Sequence, residues 1–386
     1  MFKVEIKELN EISRTNTGYF QQTAFWSEFK ENHGWAFKKF SVSWIHEEAD
    51  AKGNGQCNGA SEVCVLVRSF AHGMFSLAYV PLFPSLPLSG VDAETQNIEF
   101  TNLLAEIGKA FKSFLPKNTI CIRFDPAVEF HSPEERDSFV RGTKVIAFAD
   151  KLKLKKTSVD IQPPDSTQIN LLPSEEEILA NMKTKWRYNV NLSARKGVEI
   201  VRVHGGDEGF ENYLDIFYKL YEITAERDGI AVHAKSYYQD LLKKSAEEIK
   251  NGKDVPVITL YLAKHEEDWL GAIITLFSKD ESIYLYGCSS NVKRNLMPNF
   301  LLQWTAMKDA KAYGSKYYDM YGMPPTDDEN HPMHGLYLFK TGFGGKNIHR
   351  IGSYDVPLKG MYTIYNFAEK SRAFWHKKVL KKIRGR

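Results

Sequence analysis

Along this chain, stretches with alternating apolar and polar residues are interleaved with stretches whose apolar positions recur three and four residues apart. This is the mark of strands alternating with helices. In the first part the pattern predicts a helix near Phe25 to Asn32, strands at Trp35–Val42, Val63–Phe70 and Phe75–Tyr79, a helix around Ile98–Phe114, and a strand at Thr119–Phe124. The segment Pro81-Leu-Phe-Pro-Ser-Leu-Pro-Leu-Ser-Gly is read as a loop, because its prolines suit neither element. Ala49–Ala60, rich in glycine and asparagine, reads as a hairpin excursion.

A second pass of the same kind begins after Gln162-Pro163-Pro164-Asp165-Ser166. Ser174 followed by Glu177 is a helix-start signature, and the helical pattern runs to about Arg195 before Gly197. Beyond it come a strand (Val198–Val203), helices at Phe210–Glu226 and Ser236–Lys250, strands at Val257–Lys264, Leu270–Ser278 and Ser282–Cys288, a helix (Asn299–Tyr313) and a strand (Tyr317–Met320). The order predicts a mixed α/β fold and a duplicated unit, although no sequence repeat proves the duplication. A chain of 386 residues exceeds what one core ordinarily fills, so two domains are expected, residues 1–165 and 166–349.

With 43% hydrophobic and 26% charged residues the composition is that of a globular protein. The longest apolar runs, such as Val63–Val67 and Leu270–Phe277, fall far short of the roughly 20 residues of a membrane span. The amino terminus carries charges where a signal peptide would be apolar, so a cytoplasmic protein is expected. Cys57, Cys64, Cys121 and Cys288 are scattered and read as reduced thiols, Cys64 and Cys121 in buried strands. A net charge of +3 does not by itself mark a nucleic-acid binder. The end of the chain does concentrate charge: Lys377, Lys378, Lys381, Lys382, Arg384 and Arg386 stand among Phe374, Trp375, Val379, Leu380 and Ile383. That end suits an anionic membrane surface, an RNA backbone, or simply a solvated helix face. Asp327–His331 and His334 lie in a proline-shaped loop without fixed ligand spacing, so no metal is expected.

The strand Ser282–Cys288 leading to a helix at Asn299 resembles the place where GNAT acetyltransferases hold the pyrophosphate of acetyl-CoA. That site needs glycines so that backbone N–H groups can reach the phosphates. Here the stretch is Arg294-Asn295-Leu296-Met297-Pro298-Asn299, with Met297 and Asn299 in place of glycines and no N–H on Pro298. A donor other than acyl-CoA is expected.

Six segments in order carry a more specific resemblance: Phe25–Lys30, Ile122–Pro126, Met182–Asn189 with Lys196–Val198, Ala225–Ile230, Tyr284–Gly287 and Leu336–Gly345. In them the chain resembles the Fem family of aminoacyl-tRNA-dependent peptidoglycan-bridge transferases. The resemblance implies two tandem GNAT-like domains, with a precursor cleft in the first, aminoacyl-tRNA on the second, and residues 350–386 returning to complete the first. Asp240–Pro256 is too short for the helical arm some members carry, so an armless member is expected. It further implies that the partners are aminoacyl-tRNA and a UDP-linked or lipid-linked muropeptide precursor. An aminoacyl ester is already activated, so no cofactor is expected; a monomer is expected, meeting the inner membrane face peripherally through its basic end.

Residue by residue, the resemblance places Lys340 near the tRNA terminus, as the charge that stabilises the oxyanion or the leaving oxygen; the plainer reading is a surface lysine before a glycine turn. Phe339 before it is suited to stack on the terminal adenine. It places Lys30 on the precursor's diphosphate. A second diphosphate position, arginine in relatives, falls on His233, and Tyr237 nearby offers a hydroxyl. Asp125 matches an aspartate that acts on the incoming amine, as base or as positioning group, and caps a turn before Pro126 on the plainer reading. Tyr284 and Tyr286 alternate with Leu285 and so share one strand face, lining a pocket or a core. Lys183, Lys185 and Arg187, around Trp186, are candidates for tRNA phosphates or for a solvated helix face. Two readings compete with tRNA-dependent transfer: a GNAT-type N-acyltransferase using acyl-CoA, and an RNA- or membrane-binding module with a vestigial cleft.

Overall fold

A computed structural model describes residues 2–12, 16, 18–46, 58–86 and 92–374 of the chain. It opens with β1 (Phe2–Leu9), α1 (Ala24–Glu31), β2 (Ala36–His46), β3 (Gly59–Phe70) and β4 (Phe75–Ser85). Then follow α2 (Ala93–Ala110), β5 (Thr119–Ala127), β6 (Glu129–Phe130), α3 (Pro133–Ala149) and β7 (Lys155–Lys156). The middle of the chain gives β8 (Asp165–Asn170), α4 (Glu175–Asn181), α5 (Thr184–Arg195), β9 (Glu199–Val203), α6 (Phe210–Asp228) and α7 (Lys235–Lys250). It continues through β10 (Val257–His265), β11 (Asp268–Phe277), β12 (Glu281–Ser289), α8 (Pro298–Tyr313), β13 (Tyr317–Asp319) and α9 (His334–Thr341). Last come β14 (Lys346–Arg350), β15 (Tyr354–Pro357) and α10 (Tyr362–Phe374).

These elements form two compact units, one of Met1–Ser13, Trp26–Pro164 and His349–Arg386, the other of Arg14–Phe25 and Asp165–Ile348. The first has the sheet order β1-β2-β3-β4-β5-β15-β7, and the second runs β9-β10-β11-β12-β13-β8. One plan serves both. Four antiparallel neighbours are followed, through a crossover helix, by a parallel fifth strand (β4 with β5, β12 with β13), and an antiparallel sixth from elsewhere in the chain closes the set. The fold is therefore mixed α/β with one strand plan used twice in tandem, as the order of elements predicts.

In the first unit Val63, Val65 and Val67 of β3 face a core with Phe100, Leu103 and Ile107 of α2, while the alternating Leu66 faces Tyr79 and Tyr362 on the other side. Period two on a buried strand does this directly. Cys64, Cys121 and Cys288 are buried free thiols, while Cys57 and most of the expected 49–60 hairpin fall outside the described residues. In the second unit α8 lays Leu302, Ala306 and Met307 on Tyr261, Ile273 and Phe277. No arm leaves α6 and α7 among the described residues; both carry buried apolar faces, Phe217 and Tyr221 on one and Tyr238 and Leu241 on the other.

Two expectations change. The stretch Pro81 to Ser85 is strand, not loop. Beyond Tyr79 the strand has no pairing with β3, and its ladder with β5 slips between Pro81 and Ser85, so Pro81 and Pro84 stand where the strand is paired on one side at most. The helix expected from Ser174 to Arg195 is two helices. Ser174 and Glu177 do form a reciprocal capping box, but Met182 and Lys183 are extended, and Arg187 Nη1 reaches back to the carbonyls of Ala180 (2.7 Å) and Met182 (2.6 Å) to satisfy the end of α4.

The returning α10 is fixed by charge in a buried place. Arg123 of β5 gives Nε and Nη2 to Asp355 at 2.7 and 2.8 Å, and Nη1 and Nη2 to Glu369 at 2.9 Å each, while Tyr362 and Tyr365 donate to the same two carboxylates at 3.0 Å. Removing the cation strands two carboxylates together out of water. Arg123→Ala is therefore expected to cost about 3–5 kcal/mol of stability in urea unfolding; a change under about 1 kcal/mol would show that the pair network does not hold α10.

Candidate active site

The second unit has a cleft of about 200 Å³ where β12 gives way to α8, lined by Leu270, Ser289, Ser290, Arg294, Phe300 and Phe339 among others. Lys293 (φ 48°) and Met297 (φ 55°) bend the chain through this turn, and Pro298 opens the helix. Proline suits a first helical position, but it removes one of the N–H groups a phosphate would meet there.

One wall is aromatic. Phe339 meets Phe300 (5.3 Å, 79°) and Phe343 (5.3 Å, 85°) edge to face, and its carbonyl accepts from Trp186 Nε1 at 2.8 Å. The following glycine is required by packing, since a Cβ on Gly342 would stand 2.2 Å from the Trp186 ring.

Lys340, next to Phe339, is buried. Its ammonium donates to the carbonyls of Met320 (2.6 Å), Tyr321 (3.1 Å) and Gly322 (2.8 Å) and lies 5.0 Å from the centre of the Tyr284 ring. Burial pushes its pKa down to about 7, while the charge of Asp319 acts the other way. Three carbonyls match the three N–H groups of an ammonium, so this charge is spent on the loop after β13 and is not held out toward a ligand.

Tyr284 and Tyr286 do not share a face. The ladder slips so that Ile274 pairs with Tyr286 and Thr275 with Tyr284, leaving Leu285 as an extra residue that breaks the alternation. Tyr284 packs on the α8 side and covers Gly287, where a Cβ would lie 1.7 Å from its hydroxyl. Tyr286 packs at 5.1 Å on Tyr238, which the sequence reading missed, and at 6.5 Å on His233. The His233 ring stacks on Tyr237 at 4.1 Å, and burial raises the Tyr237 and Tyr286 hydroxyls above their ordinary pKa. On α5, Lys183 and Lys185 are exposed, Lys183 lying 5.8 Å from the Trp186 ring, whereas Arg187 is the helix-end clamp already described.

In the first unit Lys30 lies against two indoles, 5.7 Å from Trp26 and 5.8 Å from Trp35, and Arg68 covers Trp35 at 5.5 Å. Burial, then the Arg68 charge, lower the Lys30 pKa to about 8. Asp125 is buried elsewhere in this unit, accepting from the Tyr79 hydroxyl, from Ser353 Oγ and from the Gln162 N–H at 3.1 Å. Burial raises its pKa against those three donors. Among the described residues no three or more His, Cys, Asp or Glu converge as metal ligands would; His334 Nε2 and Asp327 instead pair at 2.6 Å.

The model of the FemAB family matches residues 5–250 and 257–370 of this sequence, running through both units. The chain belongs to the FemAB family. The interruption in that match falls between α7 and β10. Among similar proteins is the Lipid II:glycine glycyltransferase of Staphylococcus haemolyticus, 26% identical, the alignment covering 96% of this chain and 95% of that one. The Lipid II:glycine glycyltransferase of Staphylococcus aureus (strain COL) is 23% identical over 88% of each chain. A crystal structure of FemX shares the fold, with a TM-score of 0.65 and 20% identity over 92% of this chain and 96% of FemX.

For this FemAB chain the buried lysine yields a direct expectation. Lys340→Met leaves three converging carbonyls without donors, so it should lower stability by about 3 kcal/mol and speed amide exchange at 320–322. Unfolding and exchange identical to the unsubstituted protein would mean those carbonyls do not depend on Lys340.

Proposed function

We propose that this chain is an aminoacyltransferase that moves an amino acid from aminoacyl-tRNA onto the stem-peptide amine of a lipid-linked peptidoglycan precursor. Its likeness to lipid II glycyltransferases over nearly the whole chain supports the transfer of an amino acid and the lipid-linked acceptor. The observation that carries the donor reading is the cleft at the start of α8, with Arg294 and the aromatic Phe339 on its walls and Pro298 where an amide would be needed. A cradle for a coenzyme pyrophosphate relies on backbone N–H groups; a nucleic-acid end is met by stacking and side-chain cations.

In the reaction the amine nitrogen attacks the ester carbonyl carbon. The C–N bond forms, the ester C–O bond breaks, and the proton lost by the amine ends on the ribose oxygen that leaves. The ester is already activated, so the work left to the protein is placement and charge. Phe339 offers a face to the terminal adenine, Arg294 meets its phosphate, and Lys183 and Lys185 meet the acceptor stem. Lys340 acts as a positioning residue, fixing the loop at 320–322 beside Phe339. Lys30, in the first unit, contacts the precursor's diphosphate; in the second unit His233, Tyr237 and Tyr286 form an aromatic cluster of their own. Asp125, with three donors on its carboxylate, positions the chain around it and does not take the proton. The reaction runs at the cytoplasmic face of the membrane, where a lipid-linked acceptor is reached.

Incubating the protein with charged total tRNA and either lipid-linked or nucleotide-linked precursor, and weighing the products by mass spectrometry, tests this reading. Extension of the lipid-linked precursor that depends on charged tRNA is expected; extension supported by acyl-CoA without tRNA would replace it. Phe339→Ala should lower transfer by about tenfold or more through lost stacking, with the fold retained. The Lys30 contact gives a pH signature. With a pKa of about 8 in the free protein, Lys30 loses its charge as pH rises through that value, so precursor affinity should fall by up to about tenfold per pH unit above it. Affinity that stays flat to pH values near the ordinary lysine pKa would remove Lys30 from the diphosphate.

A further inference from the structure

The carboxyl-terminal helix α10 has two faces of different kinds. Tyr362, Tyr365 and Glu369 recur at three and four residues and are turned onto Arg123, Asp355 and the sheet. The opposite side carries Ile364 and Phe367, 70% and 73% exposed, with Met361 beside them at 51%. Large aliphatic and aromatic side chains left this open, at helical spacing and on a helix already anchored by its other face, are not waiting for the core of this unit.

The charge around them has one sign. From Lys359 to Arg372 the sole carboxylate is Glu369, and it is drawn inward onto Arg123; Lys359, Lys370 and Arg372 are all exposed, Lys370 one turn after Phe367 and the other two at the ends of the helix. The sequence that continues from α10 adds Lys377, Lys378, Lys381, Lys382, Arg384 and Arg386 with no acidic side chain. Apolar side chains with a cationic border fit a lipid interface, where the apolar groups enter the acyl boundary and the cations meet anionic headgroups. An RNA backbone would use the cations but gain nothing from Ile364 and Phe367.

We infer that the outward face of α10, through Ile364 and Phe367 with Lys370 beside them and Lys359 and Arg372 exposed at the helix ends, seats the protein on an anionic bilayer surface. The inference does not depend on the transfer reaction proposed above. A protein that binds vesicles yet transfers nothing would keep it and lose that reading, and one that transfers but ignores vesicles would do the reverse.

Sedimentation of the full chain with vesicles of phosphatidylcholine, with and without phosphatidylglycerol, measures it. Binding is expected on the anionic vesicles and should weaken with salt. The double variant Ile364→Ser, Phe367→Ser changes no charge and removes side chains that are mostly exposed, so its thermal unfolding should match the parent. Its partition onto anionic vesicles should fall by about tenfold or more. Unchanged partition in that variant, equal binding to both vesicle types, or binding to total tRNA with none to anionic vesicles would each overturn the inference.

Discussion

A lysine ammonium taken out of water must find an acceptor for each of its N–H groups, and in the second unit the carbonyls of residues 320–322 are those acceptors for Lys340. The end of β13, the ring of Tyr284 and the last turn of α9 are thereby tied at one point. Phe339 lies one residue before that point and Trp186 donates to its carbonyl, so the aromatic wall of the cleft inherits its placement from the buried charge. A half-satisfied arrangement would cost more than an apolar one, which is why the loop and the lysine stand or fall together.

The first unit uses the same economy of buried charge for a different end. Arg123 holds two carboxylates, one on β15 and one on α10, so the segment that returns after the second unit closes the sheet and is locked in one register. Spending Glu369 inward leaves the outer side of α10 free of negative charge. The anchoring of the helix and the character of its exposed face thus follow from one ion-pair network.

Much of the architecture was legible because each buried strand and helix carries its own period, and the capping box at Ser174 and Glu177 sits where the sequence predicts. What escaped was decided by partners distant in sequence. The strand through Pro81 to Ser85 depends on having only one paired neighbour there, and the break between α4 and α5 depends on a side chain, Arg187, reaching back. The helix α3 was missed although Ser132 and Pro133 signal its start, because its apolar residues do not trace one buried stripe: Phe139 and Ala147 are buried while Val145 and Phe148 are exposed. Lys340, Phe339 and Lys30 were singled out through the family motifs, but no motif reveals that Lys340 is buried under carbonyls or that a bulge at Leu285 sends Tyr284 and Tyr286 to opposite faces. The exposed pair Ile364 and Phe367 became visible only once the inward face of α10 was known.

On the function proposed above, the cleft between β12 and α8 receives the end of a nucleic acid and not a coenzyme. Amide hydrogen exchange with an RNA minihelix bearing a 3′-terminal adenosine, compared with coenzyme A, tests it most directly. Protection is expected at residues 289–300 and 336–343 with the minihelix and at neither segment with coenzyme A. Protection of residues 294–299 by coenzyme A, with the minihelix leaving both segments unchanged, would contradict it.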